Sequence, residues 1–317
     1  MLDILAITSP IYIIIFLGYL FTRIGVFAKI EMRVFGKFVL NLALPALLFK
    51  TLAQRQLGEI INASYLAAYL LGSLLVIGAG FLWTRRVTGL DATTSTIRAM
   101  GMACSNSGYV GYPILLLTAA PVAGVSLALN LIVENTVVIP LLLFMAEHSR
   151  GGAGQWRVVG RALKRLATNP LVLGLVAGLC VSATGWKLPE PLLRTAEMLA
   201  SSTSSIALFV IGGTLVGLPL RGIGRQVVPV VVGKLIVLPL AVFAFLSVLP
   251  LLGLPPIDPA LRTAAVLMAA MPMMGIYPTL AQAYGKDDFC AVALLVTTIA
   301  SFFTLSGLLW LLKTIPF

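Results

Sequence analysis

Apolar runs of roughly 18 residues or more recur along this chain, and that recurrence limits its fold more than any single motif. Lipid offers no water to satisfy backbone N–H and C=O groups, so a spanning segment must close its own hydrogen bonds. Runs of this length predict helices rather than strands. Ten are predicted, at about 4–22, 34–53, 64–83, 94–119, 124–145, 168–186, 192–217, 226–250, 260–283 and 288–312. With 59% hydrophobic and 10% charged residues, the chain has more apolar surface than a water-soluble fold can hide. The fold class is therefore an all-α integral membrane protein, with the bilayer as its first partner.

The formal net charge of +11 would suggest nucleic acid in a soluble protein. Here the basic residues fall between apolar runs, which is an orientation signal, and no nucleic-acid partner is expected. Connections after the odd segments hold Arg23, Lys29, Arg33, Lys37, Arg85, Arg86, Arg98, Arg150, Arg157, Arg161, Lys164, Arg165, Arg221, Arg225 and Lys286. Those after the even segments hold Lys50, Arg55, Lys187, Arg194 and Arg262. The odd connections are thus cytoplasmic and both termini extracytoplasmic, in the cell inner (plasma) membrane. Met1-Leu2-Asp3 lacks a basic flank and no small-residue cleavage site follows, so the first run reads as a retained span.

One connection is long. It sets the domain expectation: 1–146 a first five-helix repeat, 147–166 a cytoplasmic loop, 167–317 a second five-helix repeat. Pro10, Gly18 and Gly25 recur at one offset as Pro170, Gly178 and Gly185. Tyr112-Pro113 recurs as Tyr277-Pro278, and Thr51-Leu52 as Thr214-Leu215. An odd number of spans per repeat inverts the second against the first, an arrangement found in secondary transporters.

Two segments carry helix breakers at mid-membrane depth. Segment 4 reads "MACSNSGYVGYP" from Met102 to Pro113, and segment 9 reads "AMPMMGIYP" from Ala270 to Pro278. Proline lacks an N–H and clashes with the preceding turn, so Pro113 frees the carbonyl of Tyr109. Pro272 and Pro278 free those of Met268 and Met274. Such groups are tolerated only inside protein or beside water. The two helices are therefore expected to cross at their breaks, in opposite directions, with half-helix dipoles left to attract an anion. A proline kink in each helix is the plainer alternative.

Few charges remain inside the apolar runs. Glu134, near the centre of segment 5, should face inward and be partnered or protonated. It is either a proton-coupling carboxyl or a structural one bonded to a neighbouring helix. Lys234 in segment 8 either snorkels to the interface, the simpler reading, or holds an anion or pairs with a buried carboxylate. Asn41 in segment 2 either bonds exposed backbone near the crossing or bridges two helices. His148 reads as a solvated loop residue, and the methionines at 268, 271, 273 and 274 as adaptable packing. Cys104, Cys180 and Cys290 lack disulfide or metal spacing. No phosphate loop, dinucleotide fingerprint or nucleophile elbow occurs, so no cofactor, metal or catalytic residue is expected.

Several stretches in this order resemble the auxin efflux carrier family: "FGKFVLNLALPALLF", "ACSNSGYVGYPILL", "ENTVVIPLLLF", "GKLIVLPLA" and "AAMPMMGIYPTLAQAYG". The resemblance spans essentially the whole chain. It implies ten helices in two inverted repeats, a scaffold domain, a transport domain and elevator-type motion. It puts substrate at the crossing of segments 4 and 9. Asn106 is the match to the polar residue that meets the substrate carboxylate in plant members, whereas Met271 and Met273 beside Pro272 replace a polar position. The long hydrophilic loop of many plant members is missing. The expected function is secondary transport of small organic anions such as malonate, malate or auxin-like acids, driven by membrane potential or a proton gradient. The expected substrate-binding set is Asn106, Ser105, Ser107, Tyr109, Pro113, Pro272, Met273, Pro278 and Asn41, with Glu134 and Lys234 as proton-coupling candidates. A sodium-coupled symporter of the bile-acid type is the alternative, as is a non-transporting membrane sensor or enzyme. A homodimer is compatible with the sequence, since scaffold domains of such designs pair.

Overall fold

The structure, a computed structural model, describes residues 2–149, 160, 164, 166–217 and 224–314. Most of the 147–166 loop, including Arg150, Arg157, Arg161 and Arg165, lies outside the described residues, as does Arg221. The helices are α1 (Leu2–Arg23), α2 (Lys29–Ala53), α3 (Ala63–Arg86), α4 (Ala92–Ala103), α5 (Tyr112–Thr118) and α6 (Ala120–His148). They continue with α7 (Pro170–Thr184), α8 (Glu190–Thr214), α9 (Val228–Leu252), α10 (Pro259–Ala270), α11 (Tyr277–Gln282) and α12 (Asp287–Thr314). Among the described residues there is no strand, only one isolated bridge. Among the described residues six helices are long and apolar enough to cross a membrane, α2, α3, α6, α8, α9 and α12, and shorter apolar helices accompany them. This is a multi-pass membrane protein. Segments 4 and 9 of the sequence reading each arrive in two pieces, as α4 with α5 and α10 with α11.

The chain packs as two compact units, and each draws on both halves of the sequence. The first comprises residues 1–62, 107–129 and 166–217, and the second residues 63–106, 130–165 and 218–317. In the first unit α1 and α8 meet backbone to backbone. A β-carbon at Gly18 would stand 2.1 Å from the Phe209 carbonyl oxygen, and one at Gly212 only 1.8 Å from that of Ile15. Apolar helices in lipid gain little from hydrophobic burial, so close contact through small residues supplies the attraction. In the second unit Gly72 of α3 plays this part against Val242 of α9.

Among the described residues, helices widen by a π turn at Val39–Ala43, Ser107–Gly111, Glu134–Val138 and Gly233–Val237. Each is followed two residues later by a proline: Pro45, Pro113, Pro140 and Pro239. A proline ring collides with the carbonyl four residues earlier in a regular helix. Here the N–H just before the proline reaches back five residues instead: Leu44 to Val39, Ile139 to Glu134, Leu238 to Gly233. The rods therefore continue through their prolines. This corrects the role expected of Pro113, which does not break segment 4. The break lies upstream, at Cys104–Asn106, and α5 carries Pro113 in its first turn.

The entry into α4 is set by Asp91, whose carboxylate accepts the Thr94 N–H at 2.9 Å and the Thr94 hydroxyl. Those bonds hold its pKa below the ordinary carboxylate value. Asp91→Ala should cost about 1 kcal/mol in denaturant unfolding. Because the native pKa is the lower one, this stabilisation is complete above the unfolded carboxyl's range and fades as pH falls through the native value. A loss unchanged from neutral to strongly acid pH would contradict it.

Candidate transport site

The crossing expected from the breakers lies within the second unit. α4 ends at Ala103 and α10 at Ala270, and the chain beyond each is extended. There the two links pair as a short antiparallel bridge, Ser105 opposite Met273. Asn106 N–H donates to the Pro272 carbonyl at 2.8 Å, and Met274 N–H to the Cys104 carbonyl at 3.2 Å. The carbonyls expected to be freed by Pro272 and Pro278 are re-paired locally. Met268 accepts from Met271 N–H, and Met274 from Tyr277 N–H. Pro278 occupies the first turn of α11, where its missing N–H leaves no bond unmade.

Gly101 lets α11 come close. A β-carbon there would stand 2.8 Å from the Tyr277 hydroxyl, which donates to the Ile97 carbonyl at 2.9 Å. Met271, Pro272, Met273 and Tyr277 are buried, whereas Gly275 and Ile276 are exposed. Asn106 is 8% exposed, and its side-chain nitrogen lies over Gly275.

A polar cluster is built around Ser105. Glu134, at the start of the α6 π turn, accepts the Ser105 N–H at 2.8 Å and the Tyr69 hydroxyl at 3.3 Å. Asn130, one turn earlier, donates to the Tyr69 oxygen at 3.1 Å and stands 3.5 Å from the Glu134 carboxylate. Lys234, in the α9 π turn, donates to Ser105 Oγ at 2.8 Å and to the Ala269 carbonyl at 2.6 Å. Ala269 is in the last turn of α10, where carbonyls lack helical partners and a cation is favoured by the dipole. Ser105 thus donates its N–H to the acid and accepts from the Lys234 ammonium with its hydroxyl oxygen.

Several expectations change here. Lys234 does not snorkel: it is wholly buried, because the carbonyl end of α10 and Ser105 satisfy its ammonium inside the protein. Ser105, Asn106 and Met274 spend their N–H groups on the protein itself, so the crossing is not a set of unclaimed amides. Glu134 is partnered, as expected. Asn41 neither reaches a second helix nor caps distant backbone. It is exposed, and it donates to the Lys37 carbonyl of its own helix at 2.7 Å. Ser107, Tyr109, Pro113 and Asn41 belong to the first unit, where the Tyr109 hydroxyl is held by the Gly36 carbonyl at 3.0 Å. Ser105, Asn106, Pro272, Met273, Pro278, Glu134 and Lys234 belong to the second.

Sequence reasoning missed Tyr69, for which an isolated tyrosine in an apolar run gives no signal. Asn130 was missed too, although its place one turn before Glu134 was a signal that could have found it. Also missed was a cavity of about 730 Å³ within the first unit. Lys50, Arg55, Glu59, Tyr112, Glu197 and Ser204 help to line it. Lys50 pairs with Glu197 across it, and Arg55 donates to the Pro121 carbonyl. By sequence alone Lys50 and Arg55 read only as loop charges.

Residues 4–309 match the family described as Membrane transport protein. A protein of Rhizobium meliloti (strain 1021), provisionally named a malonate transporter, is 30% identical over 99% of this chain and 97% of its own length. An uncharacterized transporter of Escherichia coli (strain K12), YfdV, is 28% identical over 65% of this chain and 67% of its own. A lysosomal cholesterol signaling protein of Mus musculus is 26% identical over 75% of this chain but only 28% of its own length. The chain therefore belongs to the Membrane transport protein family, the family of the auxin efflux carriers.

Proposed function

We propose that the protein is a secondary active transporter of small organic anions, carboxylates such as malonate or malate, working by alternating access. The observation that carries this reading is the antiparallel crossing of two interrupted helices, with Asn106 at its edge beside the exposed Gly275. The likeness to the Rhizobium meliloti protein supports malonate as the first substrate to try. In this reading ten spans form two inverted repeats in the cell inner membrane with both termini outside. The second unit carries the substrate in an elevator-like motion and the first serves as scaffold.

The buried Lys234 ammonium favours anion binding near Ser105 and argues against sodium symport there. It already fills the place between a hydroxyl and a carbonyl that a sodium ion would need. Moving one negative charge outward is worth about 2.3 kcal/mol per 100 mV, so the membrane potential alone can drive export. Glu134 is the candidate for coupling to protons instead.

The test is flux of radiolabelled malonate, malate and indole-acetate into proteoliposomes under an imposed potential or pH gradient. Saturable flux of at least one carboxylate is expected, reduced about tenfold or more in Asn106→Ala through loss of a buried polar contact. Silence toward every carboxylate under both gradients defeats the proposal. A Glu134→Gln protein that keeps the full pH dependence removes that residue from coupling.

A further inference from the structure

Arg98 and Arg262 were counted among loop charges, and the structure corrects this. Arg98 lies inside α4 and Arg262 inside α10, the two half-helices that end at the crossing. Both belong to the second unit. By helical rise, Arg98 stands about 8 Å before the end of α4 and Arg262 about 12 Å before the end of α10.

Their surroundings are alike in kind. The Arg98 guanidinium lies 4.7 Å from the Phe289 ring centre, and one Nη donates to the neutral Gln226 side chain at 2.8 Å. That of Arg262 lies 5.2 Å from the Phe243 ring centre, and one Nη donates to the Ser247 hydroxyl at 2.9 Å. In both, Nε is buried and has no hydrogen-bond partner among the described residues. Neither forms an ion pair with a described carboxylate. Arg98 is only 5% exposed.

Arg262 is only half-buried, but in both residues a buried Nε with no partner and no counter-charge among the described residues is costly. A structural arginine is normally paired, and its planar fork matches a carboxylate through two parallel bonds. Nε with the neighbouring Nη forms one such edge. Its occurrence once on each half-helix, over an aromatic ring and beside a neutral partner, points to one design used twice.

We propose that Arg98 and Arg262 are staging sites for the substrate carboxylate, one on each approach to the crossing, each taking the carboxylate edge-on through Nε and Nη. This rests on the organic-anion reading above. An aromatic face and a neutral amide or hydroxyl hold the guanidinium without neutralising it. Its charge is therefore left unmatched by any described acid, and an arriving carboxylate has only to part the side chains that cover Nε, with no buried acid to displace. Because the two half-helices enter the crossing from opposite directions, each arginine serves substrate offered from a different side.

The deciding measurement is the arginine Nε–H spectrum of the full chain in nanodiscs, titrated with malonate. Two resonances should move, one absent in Arg98→Gln and the other in Arg262→Gln. Flux supplies the second readout. Arg98→Gln should raise the malonate KM about tenfold for one direction of loading only, with kcat little changed, and Arg262→Gln for the opposite direction. Arg98→Lys, which keeps charge but loses the fork, should recover part of the loss and guards against misfolding of the glutamine variant. Resonances indifferent to malonate overturn the proposal. So does movement caused by replacing phosphatidylcholine with phosphatidylglycerol and not by malonate, which assigns the arginines to a lipid headgroup. Should the wild type carry no carboxylate, the transport reading falls separately. The malonate-dependent shift then decides the arginines alone, upholding them if present and dismissing them if absent.

Discussion

Lys234→Met is expected to destabilise the protein by about 3–5 kcal/mol and to abolish transport. The reason lies in what the ammonium leaves behind. Ser105 loses a donor, the last turn of α10 loses the cation on its Ala269 carbonyl, and the buried Glu134 carboxyl no longer shares Ser105 with a base. Each buried orphan carries its own desolvation cost, about 1–3 kcal/mol for a neutral group. Glu134→Gln in the same background should restore more than half of the loss, because acid and base are then removed from Ser105 together. Chemical unfolding of the single and double variants in detergent measures both numbers. A single-variant loss below about 1 kcal/mol, or strict additivity in the double, would show that acid and base do not act as a unit around Ser105.

Gly212→Val, in the first unit, should be damaging as well, by about 3 kcal/mol or more. The new β-carbon would stand 1.8 Å from the Ile15 carbonyl oxygen, and that oxygen belongs to the backbone of α1. No rotamer change relieves such an overlap, so α1 and α8 must separate. The helices then lose the close contact that holds them together in lipid. Gly78→Ala is the matched control, since Gly78 is exposed and nothing lies within 4 Å of its would-be β-carbon. Expression and detergent thermostability of Gly78→Ala should equal or slightly exceed the parent. Equal stability of Gly212→Val would refute the packing argument.

These two sites mark what can and cannot be read from a linear chain. The interruptions in segments 4 and 9 are legible because glycine, proline, serine and asparagine at mid-depth have few other uses in a spanning helix. Glu134 is legible because a carboxyl at that depth must find donors; which donors they are, Asn130 among them, is not. The destination of Lys234 is not. Its position near the start of an apolar run suits an outward-curling side chain equally well, and only the arrival of the α10 carbonyl end decides the matter. Arg98 and Arg262 were assigned to connections because an apolar run does not show on which turn its helix begins. Tyr69 had no local signature at all. Its role depends on three residues brought to it from the link after α4 and from α6. The cause of the break in segment 4 was misread for a related reason: proline looked like the culprit, while the widened turn ahead of it had already absorbed the clash.

Those widened turns have an evolutionary corollary. A π turn is an α-helix carrying one surplus residue, so deleting one amino acid there heals the ladder while a deletion elsewhere in the rod would not. Related chains aligned to this one should therefore show their single-residue gaps at 39–43, 107–111, 134–138 and 233–237. The surplus residue also swings every later side chain about 100° around the axis. Such a phase shift lets one continuous rod present unrelated faces along its length. The α6 rod does need two faces, for its chain leaves the first unit at Leu129 and its π turn opens at Glu134.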